Sequence, residues 1–303
     1  MKVSKIGVIG LGAMGFGVAR SLLRAGFEVH ACDVRLSVLE ALAVDGAITH
    51  TTPDSLAARV EAAIILVVNA EQTETVLFGE HGVVGALRRG GIVMASSTVS
   101  PHYSEALGAR LASEGLLMLD APVSGGAARA ASAEMTVMAS GDPAAFEAMT
   151  DVLDSIAGKV YRLGDSPGAG SKVKMINQLL AGVHIAAATE AMALGIRAGV
   201  DPDALFEVIS NSAGNSWMFS NRVPHILAGD YAPLSAVDIF VKDLGIVVDS
   251  ARKLTFPLPL TSAALQMFIA TSAAGLGKED DSAVIKMFQR LTGIDLPAPT
   301  QGA

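Results

Sequence analysis

Six consecutive residues, Gly10-Leu11-Gly12-Ala13-Met14-Gly15, carry the most readable chemistry in this 303-residue chain. Three glycines spaced GxGxxG, after the apolar run Lys5–Ile9 and before the amphipathic stretch Gly15–Arg24, suit a turn that wraps a diphosphate. The first glycine allows the tight turn, the second lets backbone approach the phosphates, and the third lets helix pack on strand. Unpaired N–H groups at the helix start then face the anion. Alone, the hexapeptide would also serve as a glycine-rich turn without a ligand. A second signal sharpens it. The next strand candidate, Glu28–Cys32, leads into Asp33, and a carboxylate about 20 residues on accepts hydrogen bonds from an adenosine ribose. That carboxylate disfavours a 2′-phosphate and points to NAD, whereas Arg35 would suit NADP.

Further along, Lys174 is a candidate base, since hydride removal from an alcohol carbon needs a group to take the hydroxyl proton. It lies early in a helical stretch among Val173, Met175 and Ile176, with its expected place at a seam between domains. Desolvation beside a positive nicotinamide would favour the neutral amine there. Asn177 and Gln178 follow three and four residues later, hence on the same helix face, as amides able to hold a hydroxyl or carboxylate. The competing reading of Lys174 is an exposed lysine with a solvated head. Lys172 points elsewhere and is the natural control. Ser124-Gly125-Gly126 follows a strand and offers backbone N–H groups to a carboxylate, or is an ordinary turn. Asn215-Ser216-Trp217, with the only Trp, offers an amide and a hydroxyl to a ligand, or fills a core. The six histidines form no HxH, HExxH or Cys–His cluster, so no metal site is expected. His184 reads as packing, Cys32 as packing, and Asp281-Ser282 as a helix cap.

These residues need a scaffold, and the composition supplies one. With 51% hydrophobic and 17% charged residues the chain can repay its ordering entropy, which excludes disorder. One Cys excludes a disulfide framework and suits a reducing compartment. A net charge of -8 without a basic stripe argues against nucleic acid as a partner. The N-terminus reads as a strand rather than an export signal. Leu179–Val200 is long enough for a bilayer but carries His184, Glu190 and Arg197 and is rich in small residues. The expectation is a buried helix of a cytoplasmic protein without a membrane partner.

Strand candidates are Lys5–Ile9, Glu28–Cys32, Ala63–Val68, Ile92–Ala95, Leu116–Asp120, Thr136–Ser140 and Lys159–Arg162, several separated by helical patterns such as Gly15–Arg24, Val38–Val44 and Pro101–Ser113. After the glycine- and proline-rich stretch from Gly164 to Gly170 the pattern becomes helical. Candidates there are 171–198, Pro202–Ser210 behind an Asp201 cap, Pro233–Lys253 beginning near Val237, Leu260–Ala274 and Asp281–Leu291, with a loose tail from Leu296 to Ala303. The expected fold is an α/β Rossmann-type domain over residues 1–164 followed by an all-α domain over 165–303.

Four segments, Gly10–Gly15 (GLGAMG), Asp120–Gly126 (DAPVSGG), Gly168–Gln178 (GAGSKVKMINQ) and Phe240–Leu244 (FVKDL), occur in that order. Together they resemble the β-hydroxyacid dehydrogenases, the family of 3-hydroxyisobutyrate and tartronate semialdehyde enzymes related to 6-phosphogluconate dehydrogenase. Val67–Ala70, Ala181–Ala187, Ala213–Phe219, Ala236–Asp243 and Gly277–Lys286 are similar to a branch of that family that oxidises a four-carbon sugar acid with NAD. The resemblance implies that Lys174 is the catalytic base and that Ser124, Gly125 and Gly126 hold the substrate carboxylate. It implies that Thr98 touches nicotinamide or ribose, with Val68 and Asn69 closing the preceding strand on the cofactor side. Lys242 would lie over the active-site cleft, unless it is half of an exposed pair with Asp238. The family's amide four residues after the lysine is Asn in some branches; here it is Gln178, so the choice between Asn177 and Gln178 stays open. A homodimer or homotetramer is also implied, and the apolar, small-residue helix Leu179–Gly199 could pack against another subunit. The function to be tested is NAD-dependent oxidation of a small hydroxy acid. Its alternatives are another acid of the family, such as 3-hydroxyisobutyrate, glycerate or tartronate semialdehyde, and a catalytically silent NAD-binding module.

Overall fold

Short apolar runs shut off from water, such as Ala62–Ile65 and Ile92–Ala95, are what the inner strands of a helix-covered parallel sheet require. The structure is a computed structural model describing residues 2–298. Its strands are β1 (Lys5–Ile9), β2 (Glu28–Cys32), β3 (Ile48–His50), β4 (Ala62–Ile65), β5 (Ile92–Ala95), β6 (Leu117–Asp120), β7 (Val123–Ser124), β8 (Met135–Gly141) and β9 (Ala157–Arg162). They lie in the order β3-β2-β1-β4-β5-β6-β8-β7, with β9 beside β8. Neighbours among β1 to β6 are parallel. β8 is antiparallel to β6 and β7 and parallel to β9. Strand order reverses between β1 and β4, and a sheet of this kind binds ligands beyond the carboxyl ends of its strands at such a switch.

Alternate residues of the inner strands β1, β4 and β5 divide between two clusters, as the pleat dictates. Ile6, Val8, Ile64 and Met94 join Leu22 and Met149, whereas Ala63, Ile65 and Val93 join Leu77 and Leu111. The single Cys, Cys32, is buried at the end of β2.

The expected strand Ala63–Val68 stops at Ile65, because Asn69 already caps a helix, Ala70–Phe78. β3, β7 and the helices Pro53–Ala57, Gly126–Ala131, Pro143–Ile156 and Trp217–Ala228 were not expected. The expected helix Leu260–Ala274 ends instead at Thr271 and passes into a π turn, Ser272–Leu276, relaxed at Gly275 with φ of 86°.

The chain divides into two compact units, Met1–Met175 and Ile176–Ala303. Residues 165–175 group with the first unit, and the start of the long helix Ala169–Arg197 is bonded to Asp120 at the end of β6. The second unit is helical. Its clusters form around Ile185, Phe240, Leu244 and Phe268, and around Met192, Phe219, Val223 and Ile285. The long helix is apolar enough to cross a membrane by length and composition, yet Ile185, Ala188 and Met192 commit its inner face to these clusters.

One cap expectation is corrected. Asp280, not Asp281, accepts the Ser282 N–H, at 3.1 Å. Asp281 is fully buried and pairs with Arg222 through Nε at 2.5 Å and a second guanidinium nitrogen at 3.0 Å. Burial raises its carboxyl above the ordinary range even beside that guanidinium. The part of the expected loose tail from residue 299 onward lies outside the described residues.

Candidate active site

The glycine turn has the geometry its spacing predicts. Gly10 has a φ of 90°, and a Cβ there would meet the Leu66 carbonyl oxygen at 2.7 Å. A Cβ on Gly15 would run into the Gly10 carbonyl, so the helix lies close on β1. At Gly12 nothing stands within 4 Å of where a Cβ would be, which leaves backbone open to a phosphate. No side chain caps the helix Gly15–Arg24; the Phe16 N–H meets the Gly12 carbonyl at 3.3 Å, and no side-chain oxygen takes an anion's place at this helix start.

Asp33 stands beside this turn. Its Oδ2 accepts the Leu11 N–H at 2.7 Å, and its Oδ1 accepts the Arg35 N–H and Nε–H, each at 2.9 Å. Burial opposes its charge, but the Arg35 and Leu11 hydrogen bonds outweigh that and hold the carboxyl below its ordinary value. The guanidinium that could serve a 2′-phosphate is thus folded onto Asp33. Open backbone, an uncapped helix and an ionised acid at the end of β2 together fit an adenine dinucleotide.

Beyond β4, the Asn69 Oδ1 accepts the Gln72 N–H at 2.8 Å, while the Gln72 Oε1 accepts the Val68 N–H at 2.9 Å. This reciprocal cap fixes the turn that carries Val68 and Asn69. Thr98 lies half-buried beyond β5, next to Ser97, whose hydroxyl accepts from Thr73 at 3.3 Å.

Ser124 ends β7, and Gly125 and Gly126 follow with φ of 135° and 72°. Such consecutive positive-φ residues turn backbone N–H groups into a concavity suited to an anion.

The lysine's helix is anchored by a residue the sequence reading left without a role. Asp120, 1% exposed, accepts the Gly168 and Ser171 N–H groups at 2.9 Å each and the Ser171 hydroxyl at 2.6 Å. Ser140 donates to the same carboxylate at 3.2 Å and accepts the Gly170 N–H at 2.9 Å. A Cβ at Gly170 would collide with the Met138 and Asp120 carbonyls. The available signal was an acid at a strand end, ahead of a glycine-rich helix start needing acceptors. One turn further on, Lys174 is buried. Lys172 is exposed and pairs with Glu105 at 2.8 Å.

In the second unit, Asn177 Nδ2 donates to Gln178 Oε1 at 3.0 Å, and Gln178 Nε2 donates to Asp243 Oδ2 at 2.5 Å. Lys242 Nζ lies 2.6 Å from the other Asp243 oxygen. Asp238, the alternative partner for Lys242, pairs with Lys278 and accepts from Ser272. Asn215 is a separate group: it donates to the Ser210 carbonyl and accepts from Ser220, each at 2.9 Å, while Ser216 caps the helix Trp217–Ala228. Trp217 is 55% exposed, so it does not fill a core. His184 borders a cavity of about 360 Å³ together with Asn215, Ser216 and Phe219. Among the described residues no three His, Cys, Asp or Glu side chains gather to hold a metal.

Known proteins resemble the chain along both units. Residues 5–164 match the family described as the NAD binding domain of 6-phosphogluconate dehydrogenase. Residues 168–288 match that described as NAD-binding of NADP-dependent 3-hydroxyisobutyrate dehydrogenase. An L-threonate dehydrogenase of Cupriavidus necator is 67% identical over 98% of this chain and 99% of its own. One from Escherichia coli K12 is 54% identical, with 96% of each covered. A crystal structure named 3-hydroxyisobutyrate dehydrogenase, from Salmonella typhimurium, superposes with a TM-score of 0.90 at 55% identity, covering 93% of this chain and 99% of that one.

Proposed function

This chain belongs to the β-hydroxyacid dehydrogenase family, the relatives of 3-hydroxyisobutyrate and 6-phosphogluconate dehydrogenases, and on that premise we propose that its substrate is L-threonate, oxidised to 2-dehydro-L-erythronate. It is an NAD-dependent oxidoreductase. The observation that carries the substrate is the 67% identity, end to end, with an L-threonate dehydrogenase.

When bound, NAD supplies the hydride acceptor. The Gly10–Gly15 turn and the uncapped helix behind it hold the diphosphate, and Asp33 takes the adenosine ribose, favouring NAD over NADP. Thr98 contacts the nicotinamide or its ribose, Lys242 binds the cofactor, and Val68 and Asn69 contribute to its binding after β4. The N–H concavity at Ser124, Gly125 and Gly126 binds the acid's carboxylate. Lys174 takes the proton from the hydroxyl on the carbon being oxidised, and an amide of the Asn177–Gln178 pair orients that hydroxyl. Trp217, exposed at the start of its helix, meets the rest of the sugar acid, and Asn215 holds the loop before it. Residues 1–164 form the nucleotide-binding module, and 165–303, the first of which group with that module, serve substrate and self-association. The protein works as a cytoplasmic homodimer or homotetramer.

A second reading has an observation in its favour, the 3-hydroxyisobutyrate name carried by a structure 55% identical. NADH formation on L-threonate, D-erythronate, D-threonate, D-glycerate and 3-hydroxyisobutyrate, each with NAD and NADP, tests both. Turnover confined to L-threonate with NAD is the expected result. Turnover on 3-hydroxyisobutyrate instead transfers the assignment to the second reading, and silence on every acid leaves a nucleotide-binding module.

A further inference from the structure

Asp243 is 2% exposed, and a carboxylate so buried is costly unless it is paired and hydrogen-bonded. Its compensation comes from two side chains that the functional reading assigns to different ligands. Gln178, on the substrate side, donates Nε2 to Oδ2 at 2.5 Å across 65 residues of sequence. Lys242, on the cofactor side, holds its ammonium 2.6 Å from Oδ1, in ion-pair contact but out of line for a hydrogen bond.

We propose that Asp243 is a positioning residue that fixes the Gln178 carboxamide and the Lys242 ammonium together, and that through Gln178 it orients Asn177 as the amide that meets the hydroxy acid. The inference rests on the dehydrogenase reading above. Its logic is donor and acceptor type. A carboxylate only accepts, so the Gln178 amide must turn its NH2 to Asp243, and its oxygen then faces Asn177. Asn177 answers with Nδ2 at 3.0 Å, which directs its own carbonyl oxygen away from Gln178, where a substrate hydroxyl can donate to it. An Asn at position 178 would be one methylene shorter and would not span to Asp243, so the longer amide is what makes the relay.

Three variants test this: D243N, Q178E, and the two combined. In D243N the Gln178 orientation is no longer enforced and Lys242 loses its ion pair with position 243. With such misplacement worth up to about 100-fold, kcat/KM for the acid should fall by about that factor. KM for NAD should rise in the same variant, a double effect that loss of packing alone does not produce. Q178E sets two carboxylates against each other, which repel at neutral pH and share a proton only as pH falls. Its activity should therefore be low at neutral pH and recover as pH falls, when a protonated Glu donates where Gln did. Q178E/D243N reverses the polarity of the hydrogen bond, keeps an acceptor for Asn177, and should regain activity at neutral pH over Q178E alone.

D243N within about twofold of wild type on both substrates overturns the proposal, as does a double variant no more active than Q178E. Should D243N lose its folded circular-dichroism signal, the pair of Q178E variants decides by itself, because only a coupled pair recovers. Wild-type protein silent on every acid sinks the dehydrogenase reading and this inference with it. Wild-type turnover beside an indifferent D243N sinks this inference alone.

Discussion

Two helices start in the first unit beyond the carboxyl ends of strands, and their N-termini are treated in opposite ways. Gly15–Arg24 begins after Met14 with no side-chain acceptor, and Gly12 leaves room before it. Ala169–Arg197 begins with Asp120 and Ser140 filling its first turn. Both ends carry the same partial positive charge. The first is left open to an exogenous anion; the second already contains its anion and is spent on holding a lysine at a set height. A helix N-terminus is a binding site only where the sequence withholds the cap.

Lys174→Ala should break the second region's output most. Loss of a general base is worth about 10²–10⁴-fold, so kcat should drop by about 10³ while NAD binds as before. Steady-state rates beside a fluorescence titration of NADH check it, and wild-type turnover would remove Lys174 from the mechanism. Asp120→Ala acts on the same region through its anchor. Two backbone N–H groups lose their buried acceptor, which should cost roughly 2–4 kcal/mol of stability in urea unfolding. A loss under about 0.5 kcal/mol would mean that the helix start is held by something else.

The first region breaks differently. Gly15→Ala drives a methyl into the Gly10 carbonyl and should cost about 1–3 kcal/mol in stability. Gly12→Ala enters open space, so it should leave the unfolding midpoint unchanged and weaken NAD binding instead. Equal effects from the two glycines would erase the distinction between packing glycine and ligand glycine. Lys172→Ala should do least, since its exposed pair with Glu105 is worth about 0.2–1 kcal/mol and turnover should not change.

The same contrast explains what could be read from the sequence. The open turn is local: glycine spacing, Asp33 and the bounds of β1, β2 and β5 follow from adjacent residues and match the structure. The Asp201 cap, accepting the Ala204 N–H at 2.9 Å, is equally local. The filled turn is not. Asp120 meets Ser171 across 51 residues, Gln178 meets Asp243 across 65, and Arg222 meets Asp281 across 59. No periodicity encodes such pairs, so Asp120 and Asp243 stood in quoted motifs without a role and Asp281 was read as a cap. β3 and β7, three and two residues long, are too short to show alternation, and Pro224 masks the helix Trp217–Ala228.

The placement of Cys32 makes a clock of the first unit. Burial first, then the charges of Asp33 and Asp54, pushes this thiol up to about 11, so the folded protein offers thiol reagents almost no thiolate at neutral pH. Labelling must wait for the end of β2 to open, and with one Cys in the chain the colour that develops counts those openings and nothing else. NAD held at the neighbouring Asp33 should slow the count by the factor 1 + [NAD]/Kd. The affinity of the nucleotide turn can therefore be timed, with no hydroxy acid present and no hydride transferred.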